Sequence, residues 1–206
     1  MPGFTSETAW KGLHPPQDLV HLFDPPQGYM QNCNISPQNM LADSPLTSDK
    51  YADYIYNVSW DSNNPRSRRI IDLLAGNDSV TEEQAMSYAM DVHDDLAEVW
   101  QQELREAVAG IEKAGAEANG TANTEFESPE FKRAVQAILA WDGEFTPEAQ
   151  ATSLYKFWRL KCGDELDLSP LAERKPLDAT ARLQMLELLA QTMVEMKGKY
   201  GSWDIA

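Results

Sequence analysis

Asn32 and Asn34 stand two residues apart in the stretch DPPQGYMQNCNISP, residues 24–37. A side-chain carboxamide offers two neutral N–H donors. Such a donor stabilises a transition state by about 2.7 to 4 kcal/mol when it is held in advance where negative charge gathers on an oxygen. Two prolines stiffen this loop and a glycine lets it turn. The stretch is therefore a candidate oxyanion-stabilising loop, although turn-forming asparagines are the simpler interpretation.

Other catalytic residue types are sparse. The chain has three histidines, and His93, with Asp94 and Asp95 beside it, fits a solvated or half-buried helix surface better than a metal site. Adjacent acidic residues point in different directions around a helix, so these two aspartates are interpreted as solubilising. No G-x-S-x-G, H-E-x-x-H or phosphate-loop motif occurs.

The composition restricts the class of protein. With 17 basic and 33 acidic residues the formal charge is −16, so the surface repels phosphate backbones and no nucleic-acid partner is expected. Cys33 and Cys162 have no paired spacing, which argues against a disulfide framework or a structural zinc. No apolar run approaches the roughly 20 residues that span a bilayer, and the N-terminus lacks signal-peptide features. We expect a soluble protein without a membrane partner.

The elements that position these residues divide the chain in two. Residues 1–64 hold most of the prolines and little apolar periodicity, so they are predicted to be a loop-rich segment. Short strands are predicted around QDLVHLFD, residues 17–24, and GYMQNCN, residues 28–34. Residues 65–206 are predicted to be a separate helical domain. The expected fold is mainly α, an irregular bundle of about five helices.

Start and stop signals place these helices. Pro65, Ser128-Pro129, Thr146-Pro147 and Asp178 each suit a helix start. The longest helix is predicted to begin at a Ser79–Glu82 capping box and to fray near Gly110 and Gly115, ahead of a flexible connection. Apolar positions predicted to face the core include Met86, Met90, Trp100 and Leu104 on the longest helix, Leu154, Tyr155 and Trp158 on the fourth, and Leu183, Leu186, Leu189, Met193 and Met196 on the last.

Four ordered stretches resemble the penicillin acylase family of N-terminal-nucleophile hydrolases. GYMQNCNISP is similar to the family's G-[YF]-x-x-N-x-N-x-x-P segment, and PRSRRIIDLL to its arginine-led helix. AILAWDGEFTPEAQATSLYKFW resembles its L-x-x-W-D-G segment with the helix that follows, and YGSWDIA the start of its W-D-x-x-W-G-D-x-H stretch. WKGLHPP, residues 10–16, and DPP, residues 24–26, precede the first of these stretches, and the matches keep the family order from residue 10 to residue 206.

The resemblance implies a function and two site residues. Family members hydrolyse the amide of an acyl side chain, as in penicillins, acyl-homoserine lactones or cyclic lipopeptides. It implies that Asn34 is the oxyanion-hole donor and that Arg66 lies at the rim of the active site, orienting Asn34 or the substrate. A cation at a solvated helix start is the alternative interpretation of Arg66. Asn32 is expected to support the loop.

The family nucleophile, a serine freed at a chain terminus within Gly-Ser-Asn-x-Trp, has no counterpart here. DSNNP at residues 61–65 lacks the glycine and the tryptophan and is interpreted as a decoy. We therefore expect an internal piece of the large chain, inactive alone, whose partners are the remainder of its acylase precursor and a small N-acyl substrate. The alternative is a catalytically inert helical interaction or scaffold module.

Cofactor and location are expectations from the same resemblance. Some family members bind calcium, but no acidic pair here matches that site, so no metal and no cofactor is assigned. Family members are usually exported, which implies a periplasmic or secreted protein.

Overall fold

A computed structural model describes residues 3–9, 11–56, 63–117 and 126–205. Helical residues make up 58% of this part of the chain, which confirms the mainly α prediction. None of its helices is long and apolar enough to cross a membrane. The α-helices are α1 Asp53–Tyr56, α2 Pro65–Ala75, α3 Glu82–Ala89, α4 Ala97–Glu117, α5 Pro129–Ala140, α6 Ala151–Glu165, α7 Ser169–Ala172 and α8 Ala179–Tyr200.

The described residues form two compact units, Met1–Met90 and Asp91–Ala206. Helices α2 and α3 fall in the first unit together with the loop-rich segment. The change of composition at residue 64 therefore lies inside a compact unit, and as a domain boundary it stays a prediction.

The two short strands predicted in the first unit do not form in the described residues. Pro16–Asp18 is instead a 3₁₀ turn, and residues 28–34 run as an irregular loop. Leu19 and Phe23, two apolar residues of the first predicted strand, are exposed. Prolines on both sides of this run remove ladder donors. The apolar signal alone was therefore a poor guide to strand structure.

The first unit has a small core. Among the described residues of this unit, the buried apolar side chains are Ile35, Leu41, Leu46 and Tyr56. The Tyr56 hydroxyl donates to the Leu46 carbonyl at 2.9 Å and accepts from the backbone N–H of Gln38 at 3.2 Å. Both side-chain hydrogen bonds and apolar packing therefore stabilise this loop-rich unit.

The predicted longest helix is two helices, α3 and α4, with residues 90–96 between them. The capping box of α3 joins Thr81 to Gln84, not Ser79 to Glu82. Met86 and Met90 are 64% and 77% exposed, so their prediction as core residues was wrong. Helix α4 continues past Gly110 as far as Glu117, and residues 118–125 of the predicted connection lie outside the described residues.

A backbone contact from a distant loop explains the interruption. The backbone N–H of Asp94 donates to the Gly143 carbonyl at 2.9 Å, and that of Phe145 donates to the Val92 carbonyl at 3.1 Å. His93 and Glu144 form the isolated bridge between these two bonds. Because backbone groups of residues 92–94 pair with another segment, they do not continue a helical ladder.

The second unit contains the main core. Helix α8 packs against α4 and α6, and α5 packs against the same two helices. The aromatic centre is Trp100, Trp141, Tyr155 and Trp158, all buried, with the Trp100 and Trp158 ring centroids 5.3 Å apart. The core predictions for Trp100, Tyr155 and Trp158 are confirmed, as are those for Leu104, Leu154, Leu186, Leu189, Met193 and Met196.

Three details of the second unit correct the predictions. Helix α6 begins at Ala151, several residues after Thr146-Pro147, and Leu183 on α8 is exposed. Asp94 is not a solubilising surface group. Its buried carboxylate accepts hydrogen bonds from the Tyr155 hydroxyl at 2.8 Å and from the Arg159 guanidinium.

Candidate functional site

The asparagine loop, residues 28–34, starts from a tight turn. The Gly28 N–H donates to the Pro25 carbonyl at 2.9 Å, and Gly28 has φ +73°, a conformation that favours glycine. The Gln27 side chain donates to the Ala42 carbonyl at 2.8 Å. The predicted turn is thus present, and a side chain anchors it to a neighbouring segment.

Asn34 lies at the exposed end of this loop in the left-handed region. Its φ is +61°, which asparagine tolerates better than most residues. Its backbone N–H donates to Oδ1 of Asn32 at 3.0 Å. Asn32 therefore supports the local turn, and the carboxamide of Asn34 projects from an exposed position.

The first turn of α2 holds this loop from the side. Asn64 caps the helix, since its Oδ1 accepts from the Ser67 N–H at 3.0 Å, and Pro65 follows at the first helical position. The Nδ2 group of the same asparagine donates to the Cys33 carbonyl at 2.8 Å. One side chain thus caps the helix and docks the loop on its N-terminal end.

Arg66 completes this docking. One guanidinium nitrogen, Nη2, lies 3.2 Å from the Cys33 carbonyl oxygen and 3.1 Å from Oδ1 of Asn34. The structure therefore brings together the two residues that the sequence singled out, although they are 32 positions apart.

This contact determines which way the Asn34 carboxamide faces. A guanidinium only donates, so the atom facing Arg66 is the oxygen, and the Nδ2 hydrogens point away from it. Within the described part of the chain Nδ2 makes no hydrogen bond. A donor at an exposed position, with its oxygen held by a cation, is able to donate a hydrogen bond to a ligand oxygen that bears negative charge.

The arginine also strengthens the donor. A hydrogen bond from a cation to the amide oxygen withdraws electron density from the amide nitrogen, and such effects reinforce one another along a chain. The positive charge itself attracts an anionic oxygen placed nearby. The pair is chemically suited to stabilise an oxyanion but contains neither a nucleophile nor a proton acceptor.

Other candidate groups do not assemble into a catalytic set among the described residues. His93 lies between α3 and α4, half-buried, with Nδ1 3.1 Å from Oε1 of Glu144. No three His, Cys, Asp or Glu side chains in the described ranges lie close enough to share a metal ion. Asp61 and Ser62 of the DSNNP stretch lie outside those ranges.

Three residues near the loop were missed from sequence. Asn64 carried a usable signal, because asparagine before a proline at the first helical position is a helix-cap pattern. Gln31 and Ser67, which join the loop to α2 beneath Asn34, carried none. They are 36 positions apart and belong to no short motif.

The chain is a mainly α protein in which an exposed carboxamide lies beside an arginine. The model of the family described as penicillin amidase matches residues 1–203, nearly the whole chain. The chain belongs to the penicillin amidase family, whose members are amidohydrolases.

Proposed function

We propose that this chain is the oxyanion-stabilising part of an acylase that cleaves the amide bond of an N-acylated small molecule. The proposed substrate classes are penicillins, acyl-homoserine lactones and lipopeptides with an acyl side chain. One observation carries the proposal: the exposed Nδ2 group of Asn34, whose amide oxygen is held by Arg66 at 3.1 Å. Family membership supports amide hydrolysis as the reaction.

In the proposed reaction a serine hydroxyl attacks the acyl carbonyl carbon, and the carbonyl oxygen gains negative charge. Asn34 donates an Nδ2 hydrogen to that oxygen while the charge is present, and the donor needs no reorganisation because its oxygen is already fixed. The C–N bond then breaks, the amine leaves with a proton, and water hydrolyses the acyl-serine ester. Asn34 is thus the catalytic residue, and Arg66 acts through it.

The serine and the base belong to further acylase polypeptide in this proposal. A serine at a chain terminus uses its own α-amino group, whose ordinary pKa is about 7.7 to 8.0, to accept and return the proton. No histidine is then needed. In agreement with this, His14 and His21 of the first unit make no hydrogen bond to Asn34 among the described residues.

The surface of the first unit supports a polypeptide partner. Phe4, Leu13 and Phe23 of this unit are each more than 80% exposed. Another polypeptide that covered these side chains would remove apolar surface from water, which favours association. We propose the remainder of the acylase as that partner.

The test compares this chain with the acylase polypeptide that contains it and carries the terminal serine. Both are assayed against p-nitroanilides that bear aromatic, short aliphatic and long aliphatic acyl groups. We expect release of p-nitroaniline from the longer polypeptide only. Turnover by this chain alone would contradict the division of roles. A correctly processed acylase that cleaves none of the panel would favour the inert scaffold interpretation.

A further inference from the structure

The asparagine loop is joined to α2 at a second place, buried beneath the contact that Arg66 makes. Gln31 is 8% exposed and Ser67 is fully buried. The Gln31 Nε2 group donates to the Ser67 hydroxyl and to the Asn39 carbonyl, both at 2.8 Å, and the Ser67 hydroxyl donates to the same carbonyl at 3.3 Å. These three residues form a closed ring of hydrogen bonds.

The ring fixes the orientation of the Gln31 side chain. A carbonyl oxygen only accepts, so the amide atom that faces Asn39 is the nitrogen, and both Nε2 hydrogens are used. The Gln31 backbone N–H adds a bond to the Met40 carbonyl at 3.0 Å. Because the group is buried, water does not compete for these bonds, and rotating the amide would leave donors unpaired at substantial cost.

The two joins differ in strength. At the outer join Arg66 is exposed, so solvent competes with its bonds to Cys33 and Asn34. At the inner join the groups are excluded from water. A loop that is fixed to the same helix at positions 31 and 33–34 cannot pivot about either one.

We propose that Gln31 is a positioning residue, which acts through Ser67 to set the place of Asn34 relative to α2. The outer contact then selects the rotamer of a carboxamide whose backbone is already fixed. The catalytic meaning of this role rests on the proposed function of Asn34. The geometric role does not, and it is measurable in this chain alone.

Gln27 supplies a matched control. It is the same residue type in the same loop region, and its Nε2 group donates to the Ala42 carbonyl at 2.8 Å. The Oε1 atoms of both glutamines are buried and accept no hydrogen bond among the described residues. Within that part of the chain Gln27 makes no hydrogen bond to α2, so of these two glutamines only Gln31 is bonded to the helix.

The experiment measures the backbone ¹⁵N order parameter of Asn34 by NMR in the 206-residue chain and in three variants. Gln31→Met keeps the length of the side chain but removes the donors, and Gln27→Met makes the same change at the control position. Ser67→Ala removes the hydroxyl that accepts from Gln31 and donates to the Asn39 carbonyl, and it leaves the Gln31–Asn39 bond in place. This variant keeps the test available should Gln31→Met fold poorly.

We expect the Asn34 order parameter to fall from about 0.85 to below about 0.6 in Gln31→Met. Ser67→Ala should lower it as well, and Gln27→Met should not. An Asn34 that stays rigid in both Gln31→Met and Ser67→Ala would overturn the inference. Equal loosening in all three variants would also overturn it, because Gln31 would then be no more than a general stabiliser.

Activity separates this inference from the proposed function. In an acylase that turns over substrate, Gln31→Met should lower kcat about tenfold with KM nearly unchanged, since loss of a transition-state contact acts on kcat. A loosened Asn34 with an unchanged kcat would leave the positioning role intact and refute the catalytic role of Asn34. A rigid Asn34 would refute the positioning role whatever the activity.

Discussion

Asp94→Asn tests the buried ionic cluster at the centre of the second unit. The Asp94 side chain is 6% exposed, and one oxygen, Oδ2, accepts from both the Tyr155 hydroxyl and the Arg159 guanidinium. An amide nitrogen at that place leaves Arg159 facing a donor. The Leu96 N–H bond to Oδ1, at 3.0 Å, is retained.

The expected cost follows from burial. Removing one partner of a fully buried ion pair costs about 3 to 5 kcal/mol, because the other charge stays buried without compensation. Arg159 is 32% exposed, so solvent recovers part of that loss. We expect the free energy of unfolding to fall by about 2 to 3 kcal/mol. Glu130→Gln, which breaks the exposed pair with Lys197, should leave stability unchanged within error.

Urea unfolding followed by tryptophan fluorescence measures both variants. Trp100 is a suitable reporter, because the Arg159 guanidinium lies 5.7 Å from its ring centroid. Equal midpoints for Asp94→Asn and Glu130→Gln would refute the reasoning, since burial would then make no difference to the value of an ion pair.

Three further predictions use other sites. Gly143 has φ +86°, and an added Cβ would lie 2.7 Å from Cε1 of His93, so Gly143→Ala should lower the free energy of unfolding by about 2 kcal/mol or more in thermal unfolding. The control, Gly110→Ala, has open space on α4 and should be neutral or slightly stabilising. Equal effects of the two substitutions would contradict this prediction. Burial raises the pKa of the Cys162 thiol to about 12, so the stability that the protonated thiol contributes is fully present below the unfolded pKa near 9 and is lost as pH rises towards 12. The free energy of unfolding should fall by nearly 1.4 kcal/mol per pH unit in this range, and Cys162→Ala should lack that fall. Parallel pH profiles of the two proteins would contradict this prediction. In the acylase, Arg66→Met should lower kcat about tenfold with KM little changed, because the Asn34 amide loses the cation that polarises it. An unchanged kcat would show that Arg66 has no role in catalysis.

Local signals predicted the parts of the fold that depend on local chemistry. Pro65, Ser128-Pro129 and Asp178 mark real helix starts, because a helix start depends only on its own first turn. The interruption between α3 and α4 was not predictable in this way. It depends on a backbone hydrogen bond to Gly143, about 50 residues later. The segment that makes this bond has a local sequence pattern that predicts a helix.

The candidate site shows the same difference between local signals, which the sequence carries, and long-range contacts, which it does not. Asn34 and Arg66 could be chosen from motifs, and the structure shows that they are in contact. The Gln31–Ser67 bond that lies under them has no motif, since any polar pair would look alike in the sequence. Sequence therefore indicated the candidate groups, and the structure shows the contacts that hold them in place.

The most direct test of the central claim is kcat of the acylase with Asn34→Ala. Asn63→Ala is the matched control, because Asn63 is also an exposed asparagine and makes no hydrogen bond to Asn34 in the described residues. We expect Asn34→Ala to lower kcat about 10²- to 10³-fold with KM little changed, and Asn63→Ala to leave kcat unaltered. An Asn34→Ala acylase that keeps kcat within about threefold of the parent would contradict the account, because so small a loss is below what one oxyanion donor contributes.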